Sequence, residues 1–156
     1  MANNIFLEKA IELSVKNLRN NLGGPFGAIV VKDGEIIGQG SNRVTSLNDP
    51  TAHAEIMAIR DACKNIKSFS LKGAEIYTSC EPCPMCLAAI YWARISKIYY
   101  SNTRKDAAEI GFDDSYIYDQ ISIPGEIRDI KMEKIKSEQA KKVFNNWKNK
   151  TDRIEY

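Results

Sequence analysis

One histidine, one glutamate and two cysteines in this 156-residue chain have types and spacings that could do chemistry. His53 and Glu55 lie in His53-Ala54-Glu55, and Cys83 and Cys86 in Pro82-Cys83-Pro84-Met85-Cys86. An imidazole and two thiolates are good zinc ligands, and three protein ligands leave the fourth tetrahedral position for water, the mark of a catalytic rather than a structural zinc. Zinc makes such a water a hydroxide near neutral pH. Cys83 and Cys86, at i and i+3, fall on one side of a first helical turn, where unpaired N–H groups and the helix dipole favour thiolates. Glu55 leaves the helix in a different direction from His53, which suits an acid/base within reach of that water better than a fourth ligand.

A structural zinc module without turnover is the alternative from another class. Cys80, Cys83 and Cys86 are evenly spaced and, with His53, could close a Cys3His tetrahedron. Two features speak against it. Cys80 precedes Glu81-Pro82 at a strand end, which turns its side chain away from the first-turn thiols, and a closed site leaves Glu55 without a task. Cys63, late in an apolar helical segment, reads as a small core residue.

The elements that must position these groups follow from periodicity. Leu7, Ala10, Ile11, Ser14 and Leu18 predict a helix from about Ile5 to Asn21, stopped by Gly23-Gly24-Pro25. Phe26 to Val31 and Glu35 to Gly40 are apolar and β-branched, and Asp33-Gly34 between them predicts an antiparallel hairpin. Asp49-Pro50-Thr51 supplies the start of a second helix, apolar through Ala54, Ile56, Met57, Ala58, Ile59 and Ala62. Ala74 to Ser79 predicts a strand, Cys83 to Arg94 a third helix opened by Pro82 and Pro84, and Ile95 to Ser101 a fourth strand. Helices between strands imply crossovers, so the third and fourth strands should each lie parallel to a neighbour. Beyond Thr103, Asp106 to Ile110 reads as a short helix, Ile130 and Met132 as an edge strand, and Ser137 to Trp147 as a helix.

Composition bounds the rest. With 44% hydrophobic residues, a chain of this length matches one domain with a real core. The N-terminus has neither a secretory apolar core nor an Arg-rich transit pattern, and no apolar run reaches membrane-spanning length. Four cysteines, two of them beside prolines, read as metal ligands in a reducing cytoplasm rather than as a disulfide framework. Net charge is only +2, a weak case for a polyanionic partner. Residues 128–156 carry nine Lys/Arg against five Asp/Glu, yet no aromatic stacking platform is interleaved, so this reads as a solvated helix face and nucleic acid is not the expected partner.

His-x-Glu together with Pro-Cys-x-x-Cys is the signature of zinc-dependent base deaminases. The sequence resembles the small bacterial guanine deaminases of the cytidine deaminase superfamily, over roughly residues 5–118. The resemblance includes Gly23-Gly24-Pro25-Phe26-Gly27-Ala28, Asn48-Asp49-Pro50-Thr51 leading into His53, Thr78-Ser79-Cys80-Glu81 leading into Cys83, and Ile90-Tyr91-Trp92-Ala93-Arg94. It continues through Asp106-Ala107-Ala108-Glu109. Gly111-Phe112-Asp113-Asp114-Ser115 and the ending Glu155-Tyr156 point to the guanine branch.

The resemblance implies an α/β fold of the cytidine deaminase type, three-layer α/β/α with a five-stranded mixed sheet. It implies one Zn2+ per subunit on His53, Cys83 and Cys86, and hydrolysis of guanine to xanthine and ammonia by a zinc-activated hydroxide, with Glu55 as proton shuttle. Phe26 and Trp92 would be aromatic walls for a planar base, or else core packing. Asn42 would hydrogen-bond the purine edge, or else serve as a turn residue. The Ala54 N–H would meet a ring carbonyl or nitrogen. Asp114 would assist departure of the exocyclic amine, or else belong to a solvated turn. Tyr156 would be a lid supplied by a partner, in a cytoplasmic homodimer of single-domain chains that exchange a C-terminal segment, about residues 119–156. A tRNA adenosine deaminase and a deaminase of cytosine or another heterocycle share the zinc signature and remain the competing readings.

Overall fold

The computed structural model describes residues 4–156. A helix, α1 (Asn4–Asn20), precedes a hairpin of β1 (Gly27–Lys32) and β2 (Glu35–Ser41). A one-turn helix α2 (Val44–Leu47) leads to α3 (Ala54–Ile66), β3 (Glu75–Cys80), α4 (Pro84–Trp92) and β4 (Lys97–Asn102). Then come α5 (Arg104–Glu109), α6 (Ser115–Ser122), a short 3-10 turn at Gly125–Ile127, and α7 (Glu138–Asn149). The chain divides into two compact units, Met1–Asp114 and Ser115–Tyr156.

The sheet of the first unit runs β2-β1-β3-β4, antiparallel at the first two pairings and parallel between β3 and β4. Asp33 and Gly34 both take positive φ, 51° and 81°, the combination that a two-residue hairpin loop needs. One sheet face meets α1: Ile29, Val31 and Tyr77 bury against Ala10, flanked by Phe6, Leu7 and Leu13. On the other face Ala28, Val30 and Ile76 meet Ala54, Ala58 and Ala62 of α3 and Ile90 of α4. The result is the three-layer α/β/α arrangement.

The approach of α3 to β2 is unusually close, for a steric reason. A Cβ on Gly38 would lie 2.5 Å from the Ala62 nitrogen, and one on Gly40 2.5 Å from the Ala54 carbonyl oxygen, so only glycine opposite alanine allows the contact. Polar side chains of α3 also close the outer rim of β2. The Gln39 N–H donates to Asp61 at 2.9 Å, and Asn65 Nδ2 donates to the Ile37 carbonyl at 2.9 Å. Both contacts fix the helix that carries His53 and Glu55 at its start.

Several expectations need correction. The sheet has four strands among the described residues, not five, because residues 128–136 form no strand: Ile130 and Met132 alternate as a strand would, but both are exposed and pair with nothing extended. The second helix begins at Ala54 rather than near Asp49, since Asn48 adopts a left-handed conformation after the extra turn α2. In α1 the inner stripe is Ala10, Ser14 and Asn17, while Leu18 is exposed.

No helix among the described residues is long and apolar enough to cross a membrane. In the second unit, the Ser137 side chain caps α7 through the Ala140 N–H at 3.2 Å, and Tyr116 donates to Asp129 at 2.7 Å. No residue of this unit is buried, and Val143, Phe144 and Trp147 of α7 are exposed.

Candidate active site

His53 and Cys83 are the N-cap residues of α3 and α4, both with extended backbone, and Pro84 follows Cys83 at the first helical position. A cap residue keeps its side chain beside the unpaired N–H groups of the first turn, so the two helix ends present their positive poles to one spot. Cys86, one turn into α4, is fully buried and completes the cluster, with the three ligand atoms within 4.8 Å of one another.

The separations permit a test of fit. A tetrahedral zinc with bonds of about 2.3 Å to sulfur and about 2.0–2.1 Å to nitrogen requires S···N edges of about 3.6 Å. His53 Nδ1 lies 3.6 Å from Cys83 Sγ and 3.5 Å from Cys86 Sγ. The donor set and its spacing therefore suit zinc. Cys80 stands apart from this cluster: its Sγ faces the Thr103 carbonyl at 3.6 Å, and burial pushes its thiol up to about 11. A closed Cys3His site has no support in this arrangement.

Electrostatics agree with ligand chemistry. The Cys86 thiol hydrogen-bonds the Cys83 sulfur and, with help from His53, pulls Cys83 down to about 4. Cys86, as the donor of that bond, is pushed well above the usual thiol range, and the Cys83 sulfur in turn raises His53. Glu55, 8% exposed in the first turn of α3, is pushed up to about 7, first by burial and then by the negative charge of Cys83. A carboxyl with a value near neutrality is suited to accept a proton and return it.

The other expected residues are distributed as follows. Ala54 is buried at the first helical position of α3, where its N–H has no partner within the helix. Phe26 packs against the core and meets Phe112 edge to face, ring centres 4.9 Å apart. Asn42, 6% exposed, accepts on Oδ1 from the N–H groups of Gly24 and Val44, both at 3.2 Å. Asp114 is half-buried; desolvation and then the charge of Cys83 raise it, against the opposing pull of Arg104, which sets it electrically within range of the cluster. Trp92 is not brought to the ligands: it is 65% exposed at the far end of α4, six residues and about 9 Å of helix beyond Cys86. Tyr156 belongs to the second unit and is exposed.

Sequence reasoning missed Asn17 and Phe112. A polar residue inside the apolar stripe of a helix was the available signal for Asn17, while nothing local marks Phe112 as the neighbour of Phe26.

A fold in which two helix N-termini bring His53, Glu55, Cys83 and Cys86 together defines a class of zinc hydrolase. Residues 2–102 match the family described as the cytidine and deoxycytidylate deaminase zinc-binding region, and the chain belongs to that family. Guanine deaminase from Bacillus subtilis (strain 168) is 48% identical over 156 residues, covering 100% of both chains. Its X-ray structure superimposes with a TM-score of 0.96 over 100% of this chain and 99% of that one. Guanine deaminase from Nitrosomonas europaea matches at a TM-score of 0.69 and 32% identity, over 72% of this chain and 65% of that chain. The tRNA-specific adenosine deaminase of Aquifex aeolicus (strain VF5) is 49% identical, but over only 49% of this chain and 51% of its own length.

Proposed function

We propose that this chain hydrolyses guanine to xanthine and ammonia. The full-length similarity to a guanine deaminase carries the choice of substrate, because the tRNA adenosine deaminase matches cover the chain only in part, 49% of it in one case and 81% at 40% identity in another. Zinc, when bound to His53, Cys83 and Cys86, supplies a nucleophile from water near neutral pH. Glu55 accepts the proton that the water gives up and hands it to a ring nitrogen of the base. Asp114 assists the exocyclic amine to leave as ammonia. Phe26 offers a ring face to the planar substrate, and the Ala54 N–H donates to a ring carbonyl or nitrogen. Asn42 contacts the oxygen-bearing edge of the purine.

We also infer a cytoplasmic homodimer in which about residues 119–156 are exchanged and the partner's Tyr156 closes the pocket. The uncovered apolar residues Val143, Phe144 and Trp147 support this, since a soluble protein rarely leaves such a face bare. The test of the activity is ammonia release from guanine, adenine, cytosine and adenosine-bearing tRNA, with and without a chelator. Guanine should respond and chelation should abolish the response; release from the tRNA alone would replace guanine with the competing reading.

A further inference from the structure

Asn17 is a buried polar residue that the reaction above does not use. It stands on the inner stripe of α1 and is 2% exposed. Its Nδ2 donates to the carbonyl of Gly24 at 2.7 Å and to that of Asn42 at 2.9 Å. Both partners are acceptors, so the amide must present its nitrogen to them. Its Oδ1 is left buried without a partner among the described residues. Such an orphan costs stability, so the two bonds from nitrogen dictate the orientation.

The same small network reaches the side chain of Asn42. Asn17 holds Gly24 through its carbonyl, which also accepts the Phe26 N–H at 2.8 Å, while the Gly24 N–H donates to Asn42 Oδ1. The Val44 N–H makes the second bond to that oxygen. Gly23 lies flush against the same residue: a Cβ there would sit 2.3 Å from the Asn42 carbonyl oxygen and 2.6 Å from Oδ1. The acceptor of Asn42 is thus occupied by loop amides, leaving Nδ2 as the side-chain atom open to a ligand.

We propose that Asn17 is a positioning residue that fixes Asn42 as a hydrogen-bond donor, and so selects purines carrying an oxygen rather than an amino group at the edge Asn42 meets. The inference rests on the reading of Asn42 as a purine contact. Without Asn17 the Gly24 peptide is released, and the Asn42 amide is free to turn its oxygen towards an amino group. A site built to donate discriminates against a ligand that can only donate in return, and that discrimination is what the loss would erode.

The experiment compares guanine with 2,6-diaminopurine, which carries an amino group in place of the C6 oxygen and keeps the same C2 amine. In N17A, and in N17L, which keeps bulk but removes both donors, the ratio of kcat/KM for guanine over diaminopurine should fall by at least about tenfold. The loss should appear mainly as a higher KM for guanine, with zinc content unchanged. A lower Tm with an unaltered ratio overturns the proposal, because a merely structural residue would give that result. Should neither variant fold, G23A displaces Asn42 from the loop side, and an unaltered ratio there overturns it equally. N42A separates the two readings: normal guanine kinetics in N42A remove the purine contact itself, whereas an N42A defect with an unmoved ratio in the Asn17 variants removes only the positioning role.

Discussion

His53 and Cys83 occupy equivalent places, each the N-cap of a helix, with Nδ1 and Sγ 3.6 Å apart where the starts of the two helices come together. Neither side chain makes a capping hydrogen bond. Both caps are given over to metal chemistry, and the helix starts forgo the roughly 1 kcal/mol that a Ser or Asp cap supplies.

Substitution of the ligands should therefore separate them from the neighbouring thiol. H53A, C83S and C86S should each lose stoichiometric zinc, measured by elemental analysis after dialysis, while C80S should retain it. Zinc loss in C80S would restore the closed-site reading.

Glu55 should be dispensable for the metal but not for turnover. E55Q should bind zinc normally and lose about 10²- to 10⁴-fold in kcat, the usual weight of a positioned proton transfer. Wild-type kcat in this variant would remove the shuttle role.

The buried carboxyl also predicts a pH dependence of stability in the metal-free protein. Folding raises Glu55 from 4.5 to about 7, so its neutral form is the one the folded state favours. Its contribution to stability is complete below about pH 4.5 and is lost as pH rises through about 7. Metal-free E55Q, which cannot ionise, should match the wild type near the acid end and exceed it above neutrality, by up to about 3 kcal/mol. Urea denaturation across this range reads the difference; a constant gap at every pH contradicts the assignment.

The glycines of β2 should report on how α3 is held. A Cβ on Gly40 meets the Ala54 oxygen and the Ala58 nitrogen, close to His53, whereas one on Gly38 meets Ala58 and Ala62 farther along. Both G40A and G38A should lower stability by about 1–3 kcal/mol, the usual range for overpacking. G40A alone should also surrender zinc faster to a chelator. Equal zinc retention in the two variants would show that the start of α3 is positioned by other contacts.

Association can be tested on the second unit. Wild-type protein should sediment as a dimer, and F144E, a charge on the exposed face of α7, should shift it towards monomer. A wild-type monomer at all concentrations defeats the exchanged-segment proposal.

Much of the first unit was legible in the sequence because each signal was local. Asp33-Gly34 marks the hairpin and Pro84 the start of α4, whereas α1 closes at Asn20 with Asn21 in the left-handed conformation, before Gly23-Gly24 is reached. The metal cluster was legible for the same reason, its pairs being close in sequence and each lodged at a helix start. What escaped depends on contacts distant in sequence. Asn17 meets Asn42 across 25 positions, and the alternation of Ile130 and Met132 mimics a strand although none of the described residues pairs with it as one. In the sequence Asn42 is an amide able to hydrogen-bond a purine edge; that the amides of Gly24 and Val44 use its oxygen is revealed only by the folded loop.

The rim of β2 has a further consequence. Asp61 and Asn65 engage backbone groups there that would otherwise be open to an intruding peptide. A margin satisfied by its own helix gives a foreign chain little to zip onto, so runaway fibre growth is blocked on that side and self-recognition is left to side chains.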